Sequence, residues 1–274
     1  VDGEKYYFDP ETGASIGGII KLENGNIYGF KEGGGVYTGL QKIDGNIYYF
    51  NDSGVIRTGL WVIDGKKYYF TKSGEAYLGY GIVDGENYYF DPETGASVGG
   101  IIKVENGNVY GFKEGGGVFT GLEELDNKKY YFNKSGVIIT GWQIVDNNKY
   151  YFSPESYFAL TGEQIINGQT YFFDEEGILL QDGFVTVNDK IYYYDENGRK
   201  VTGFKRINGK AYYFDLKTGE IYTGFVQLSD KYTYYFDGMN GQVTGFLNLN
   251  GKKYYFYSTG VMAQGLTTIE DKKY

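Results

Sequence analysis

GLWVIDGKKYYF, residues 59–70, is written as a β-hairpin. Two strand-like runs, LWVI and KKYYF, flank Asp64-Gly65. Asp-Gly and Asn-Gly are the strongest two-residue hairpin signals, because a type I′ turn needs positive φ at both central residues. The signal returns at Asp44-Gly45, Asp84-Gly85, Asn106-Gly107, Asn167-Gly168, Asn208-Gly209 and Asn250-Gly251. Asp126-Asn127 and Asp146-Asn147 serve as variants, since Asn visits the left-handed region more readily than most residues. The rest of each unit, as in NDSGVIRTG at 51–59, is a polar turn and a short link to the next hairpin. A single two-stranded hairpin is marginal in water. These hairpins must therefore stack on one another, which is the physical reason for an array.

The period is explicit. The first ring of each aromatic triplet falls at Tyr6, Tyr28, Tyr48 and onward to Tyr254 and Tyr274, in steps of 20 to 22 residues. A glycine follows each by 11 or 12 residues, from Gly17 and Gly39 to Gly265, in thirteen of thirteen complete units. Residues 1–40 also match residues 83–122 at 35 of 40 positions, so a block of four short units is itself repeated. Such self-similarity outranks any local motif. No helical periodicity competes with it. The expected organisation is one repeat-array domain over 1–274, with about thirteen hairpins, monomeric and part of a longer chain.

Composition narrows the chemistry. Glycine numbers 44 and proline only 3, while tyrosine numbers 32 within an aromatic content of 19%. Such a chain is neither collagen-like nor disordered. The net charge is −9 with three arginines, Arg57, Arg199 and Arg206, which argues against nucleic acid and anionic membranes as partners. No apolar run approaches a bilayer span, so no membrane insertion is expected. Cysteine and histidine are missing altogether. Without the usual nucleophiles and bases, and with its chemistry repeated along the chain instead of gathered in one constellation, the protein is not expected to be an enzyme. No cofactor or metal is expected either. DENGRK at 195–200 and DEEGIL at 174–179 echo a calcium loop but lack its spacing, and turn chemistry accounts for them. KEGGGV at 31–36 and 113–118 lacks the Lys-Ser/Thr and helix of a phosphate loop; it reads as a turn that admits close approach by a ligand.

Alternation along a strand divides the labour within each triplet. The first ring is tyrosine in every unit, and the third is phenylalanine except at Tyr194. That uniformity predicts buried stacking positions. The second position varies, with Gly29, Gly111 and Phe172 replacing tyrosine, which predicts an outer, ligand-accessible face. The candidate carbohydrate-stacking residues are therefore Tyr49, Tyr69, Tyr131, Tyr151, Tyr193, Tyr213, Tyr235 and Tyr255. Trp61 and Trp142 join them as the best sugar-stacking side chains, although either could instead fill a wider groove. A tyrosine ring can lie on a sugar's C–H face while its hydroxyl bonds to the rim. Many such weak contacts in a row give avidity. On this reading Tyr69→Ala weakens binding and spares the fold, whereas Tyr68→Ala or Phe70→Ala destabilises locally.

Over its whole length the chain resembles the cell-wall or choline-binding type repeat superfamily. That group includes the choline-binding modules of streptococcal surface proteins, the glucan-binding repeats of glucansucrases and the combined repetitive oligopeptides of large clostridial toxins. The resemblance implies an all-β, elongated β-solenoid of stacked two-stranded hairpins. YYFDPETGA at 6–14 and 88–96 and YYFDLKTGE at 212–220 are similar to glucan-binding repeats. Phenylalanine after the tyrosine pair, with leucine or phenylalanine after the glycine, is similar to the toxin repeats. Choline modules look like GW…WYYL. Here only Trp142 directly follows a repeat glycine, and Lys67, Lys129, Lys149 and Lys253 stand before the pair, where a cation repels a quaternary amine. Toxin arrays intersperse longer saccharide-pocket units, whereas no step here exceeds 22 residues. The nearest irregularity is YYFSPESYFALTGEQI at 150–165, with Glu163 in the aromatic position.

Three roles remain open. The first is a multivalent glycan-binding module of a secreted bacterial toxin or enzyme, directed at cell-surface or cell-wall carbohydrate. The second is an anchor on the bacterium's own teichoic acid or peptidoglycan. The third is a structural spacer or adhesin stalk. Each places the protein outside the cell or on the bacterial surface.

Overall fold

The computed structural model describes residues 3–269 and 271–273. Val1, Asp2, Glu270 and the last first-position ring, Tyr274, lie outside the described residues. Among the described residues, thirteen two-stranded antiparallel sheets follow one another, each a hairpin. Gly59–Ile63 pairs with Lys66–Phe70 in the register Gly59↔Phe70, Trp61↔Tyr68, Ile63↔Lys66. The repeat glycine thus stands opposite the third ring. Asp64 and Gly65 have φ of 50° and 78°, as a type I′ turn demands. One 3-10 turn, Gly238–Asn240, is the only helical element among the described residues, and no helix is long and apolar enough to cross a membrane.

Asn106-Gly107 departs from the expected two-residue turn. The strands Gly100–Lys103 and Val109–Phe112 pair as Lys103↔Val109, which leaves a five-residue loop, 104–108. Asn106 stays out of the left-handed region and its Oδ1 accepts the Asn108 N–H at 2.9 Å. The same loop occurs at 22–26 in the earlier copy of the block. In both copies the glycine opposite the third ring is the second of the pair, Gly18 or Gly100.

A two-stranded sheet has two bare edges, and the links cover them. The Ala76 N–H reaches back to the Ile47 carbonyl at 2.7 Å, while the Tyr77 N–H bonds the Tyr69 carbonyl of its own hairpin at 2.7 Å. The same pair of bonds recurs as Ile221 N–H to Ile191 carbonyl and Tyr222 N–H to Tyr213 carbonyl, both at 2.8 Å. Within each of the two compact units, such bonds sew a hairpin to its predecessor through the backbone.

The core is a succession of third rings. From Phe50 to Phe256 every one is fully buried, Tyr194 included. Each burial contributes roughly 1.5–3 kcal/mol. The first ring lies beside the third on the same strand face, as in Tyr88 over Phe90 at 5.5 Å and 17°. The array resolves into two compact units, Val1–Thr140 with Pro154–Phe158, and Gly141–Ser153 with Ala159–Tyr274. Within the first, buried clusters centre on Phe50, Phe70, Phe90, Phe112 and Phe132. Within the second, they centre on Phe173, Phe214 and Phe236.

The middle glycine of each glycine-rich turn serves the fold. A Cβ on Gly116 would lie 2.1 Å from the Tyr88 ring, and one on Gly34 would lie 2.1 Å from Tyr6. The turn is a seat for the chain's own tyrosine. The acidic turns are equally local. Asp174 Oδ1 accepts the Glu176 and Ile178 N–H groups at 2.9 and 2.8 Å, and Asp195 Oδ1 does the same for Asn197 and Arg199.

Candidate functional site

The alternation within the triplet is as expected, but the face it assigns to the second ring is not simply an outer one. Tyr49 lies 6.0 Å from Phe70, the third ring of the next hairpin, and Tyr213 lies 5.6 Å from Phe236. Tyr193 over Phe214 and Tyr235 near Phe256 repeat the contact. In a stack of hairpins, the side facing away from one core faces into the next. Tyr193 and Tyr235 are only 2% and 8% exposed, so neither can meet a ligand as they stand. Tyr49, Tyr69, Tyr131, Tyr151, Tyr213 and Tyr255 are half-buried.

Gly29 and Gly111 correct the inference that a position accepting glycine lies outside the core. Both are buried, and a Cβ would lie 2.4 Å from the Phe50 ring or 2.5 Å from the Phe132 ring. Tyr37 and Phe119, from the links, fill the space over those rings at 5.9 and 6.0 Å.

The side chain after each repeat glycine pairs across the hairpin with the second triplet position, and at Trp142, Phe184 and Phe225 a three-ring corner forms. Trp142 lies 5.1 Å from Tyr151 and 5.0 Å from Tyr171 of the following hairpin. Phe184 with Tyr193 and Tyr212, and Phe225 with Tyr235 and Tyr254, reproduce it. Phe225 remains exposed at its corner, and Phe204 and Phe246 are exposed at the same place in their hairpins. The Lys149 ammonium sits 4.6 Å from the Trp142 ring centre and Lys253 sits 4.1 Å from that of Phe246. A cation of the chain's own therefore already occupies ring faces that a quaternary amine would need.

Trp61 is committed differently. Its indole N–H donates to the Thr58 carbonyl at 2.9 Å, the Arg57 guanidinium lies 5.1 Å from its ring centre, and Tyr49 lies 5.6 Å away. The structure thus joins Tyr49 to Trp61 and Tyr151 to Trp142. The sequence reading passed over Tyr77 and Tyr222, exposed rings that stand two residues before a repeat glycine. Tyr37 and Phe119 hold the same place in their units, and that recurrence was the available signal.

The irregularity at Glu163 proves to be a compensated pair. Tyr194 is the one third-position ring with a hydroxyl, and it donates to Glu163 Oε2 at 2.8 Å. Lys200 pairs with the same carboxylate and lies 3.9 Å from the Tyr192 ring centre. Burial pushes the Glu163 carboxyl up, but its bonds to Lys200 and Tyr194 outweigh burial and hold it below its ordinary 4.5. A folded value below the unfolded one stabilises the fold above pH 4.5, and the contribution is lost as pH falls through the depressed value. Amide protection factors around 162–194, referred to the intrinsic exchange rate at each pH, should therefore fall below pH 4.5 in the native protein. The Glu163→Gln variant should lose most of that pH dependence, and an unchanged profile would refute the assignment.

The family model described as choline-binding repeat matches residues 37–79, 57–98, 119–156 and 160–200, together more than half of the chain. A second model, of a cell wall binding repeat, matches 202–219 and 244–262. Among solved structures, choline-binding protein F from Streptococcus pneumoniae superposes with a TM-score of 0.63 at 25% identity, covering 90% of this chain and 99% of that one. The same protein determined in the presence of a peptidoglycan analogue gives 0.53 at 25% identity, covering 94% and 96%. The modular autolysin LytC from the same organism shares the fold, with a TM-score of 0.57 at 20% identity over 79% of this chain and 50% of its own. No curated protein sequence gives a significant match. With its hairpin register, its buried third rings and a family model over most of its units, the chain belongs to the choline-binding repeat family.

Proposed function

We propose that this chain is a non-catalytic module that holds its parent protein on cell-wall or cell-surface carbohydrate through many separate, weak aromatic contacts. The observation that carries this reading is the aromatic corner repeated at separate hairpins, at Trp142, Phe184 and Phe225. One sugar–ring contact is weak, but a repeated one binds a polymer through raised effective concentration. The family membership supports it, as does the peptidoglycan analogue present with choline-binding protein F. The parent is a secreted bacterial toxin or enzyme, and the module works outside the cell.

The test is sedimentation of the full chain with insoluble bacterial cell walls, followed by a glycan array. Retention on walls or on arrayed glycans is the expected result. Failure to bind either would leave only the role of a spacer.

Binding of the quaternary amine choline is a second reading, favoured by the family and by the Trp142 corner. The ring face there is shared with Lys149. Replacing Lys149 with glutamine should raise choline affinity by about tenfold, a desolvated cation–π contact being worth roughly 1–2 kcal/mol. Calorimetric titration with choline checks this, and equal affinities would sever the link between that corner and amine recognition.

A further inference from the structure

One hairpin of the first unit departs from the pattern in several places that face one space. Gly79–Val83 carries Gly81 where other hairpins carry larger side chains, and Tyr77 precedes it. A Cβ on Gly81 would lie 2.6 Å from the Tyr77 ring, so that ring rests on bare backbone. Its hydroxyl donates to the Tyr80 carbonyl at 3.0 Å, and Phe90 supports it edge-on at 6.1 Å. Tyr80 is held as firmly, stacked on Tyr110 at 5.1 Å with its hydroxyl donating to Asn87 at 2.7 Å. The following hairpin has the five-residue loop. Its Val104 is buried against Tyr80, Tyr89 and Tyr110, which pins the loop, while Glu105 and Asn106 stay exposed. Between these elements lies a cavity of about 370 Å³ lined by Tyr77, Leu78, Tyr80, Glu105 and Asn106. Asn87 and Val104 are two of the five positions at which the duplicated blocks differ, with Lys5 and Leu22 in the first copy.

We propose that this cavity is a dedicated pocket for a neutral hexopyranose, with the Tyr77 ring under the sugar's C–H face and Glu105 and Asn106 at its hydroxyls. The inference rests on the carbohydrate reading above and names the sugar class for one site. The Tyr77 and Tyr80 hydroxyls have each given their proton to a protein acceptor. Their oxygens and the Glu105 carboxylate accept, and a sugar's hydroxyls are the matching donors. No cationic side chain lines the cavity, so phosphate-bearing or carboxylated sugars are disfavoured. Tyr80 gives a ring side to Tyr110, leaving a platform and not the cage that a quaternary ammonium requires. Rings and loop fixed before binding lower the ordering cost.

The duplicated block supplies its own control. Asn24 occupies the same loop position as Asn106, and its Oδ1 caps Asn26 at the same 2.9 Å. Calorimetric titration of the full chain with maltotriose and with N-acetylchitotriose should detect saturable binding of at least one. Asn106→Ala and Glu105→Ala should each weaken it about tenfold, and Asn24→Ala should not. Cell-wall retention should survive in all three variants, because the other contacts remain. No trisaccharide binding, binding untouched by Asn106→Ala and Glu105→Ala, or displacement by choline would each overturn the pocket. Loss of wall retention by the unmodified chain would instead sink the broader reading.

Discussion

Alanine in place of Phe90 is expected to cost about 3–5 kcal/mol, the range for emptying an aromatic site in a packed core. The ring is 0% exposed, stacked on Tyr88 and touched by Tyr77, within a cluster that includes Val83, Leu60 and Tyr69. Its removal therefore loosens its own hairpin and the joint to the hairpin before it. In a repeat array, stability is a sum of unit and nearest-neighbour contributions, so the damage stays local. Amide exchange should accelerate across 59–90 while the hairpins around Phe214 and Phe236 keep their protection. Phe8, exposed ahead of the first hairpin, gives the comparison: Phe8→Ala should change stability by no more than about 0.5 kcal/mol. A uniform loss of protection along the chain, or equal costs for the two variants, would contradict the account of the core.

Gly116→Ala is the second large effect. The residue has φ of +109°, where an L side chain is strained, and its Cβ would meet the Tyr88 ring at 2.1 Å. That ring has little room to retreat. It is buried, its hydroxyl donates to Glu86 at 3.0 Å, and Lys67 donates to it at 3.1 Å. Strain of about 1–2 kcal/mol and overpacking of about 1–3 kcal/mol add, for a loss of roughly 2–5 kcal/mol. Gly115, next to it, has φ of +80° with nothing within 4 Å of a Cβ. Gly115→Ala should thus cost only the strain, about 1–2 kcal/mol. Urea denaturation of the two variants separates the contributions, and equal losses would show that the tyrosine seat is not what the glycine provides.

The hairpins, the period and the buried third ring were legible because each rests on local rules. A two-residue turn needs Asp-Gly or its equivalents, and alternation puts Tyr88 and Phe90 on one side of a strand. What alternation could not say is whether the other side faces water. That depends on the next hairpin, 20 or more residues on, and it is why Tyr193 and Tyr235 are buried. Gly29 misled for a related reason. A missing side chain reads as an exposed position until Tyr37 is seen arriving from the link. The Asn106 loop escaped because Asn-Gly fits a two-residue turn and a longer one alike. Of the candidate rings, Trp142 and Tyr151 meet at 5.1 Å, which follows from a register that the sequence already contained. Tyr77 stands outside the triplet, and only the recurrence of a ring two residues before a repeat glycine marks it.

Tyr37 and Phe119 show that the place above a third ring can be filled from either of two stretches of backbone. What is maintained is a plane at a certain height, whoever supplies it. Units of this kind can therefore exchange the donor of a ring without disturbing their neighbours, and two arrays with dissimilar triplets can still be built to the same pitch.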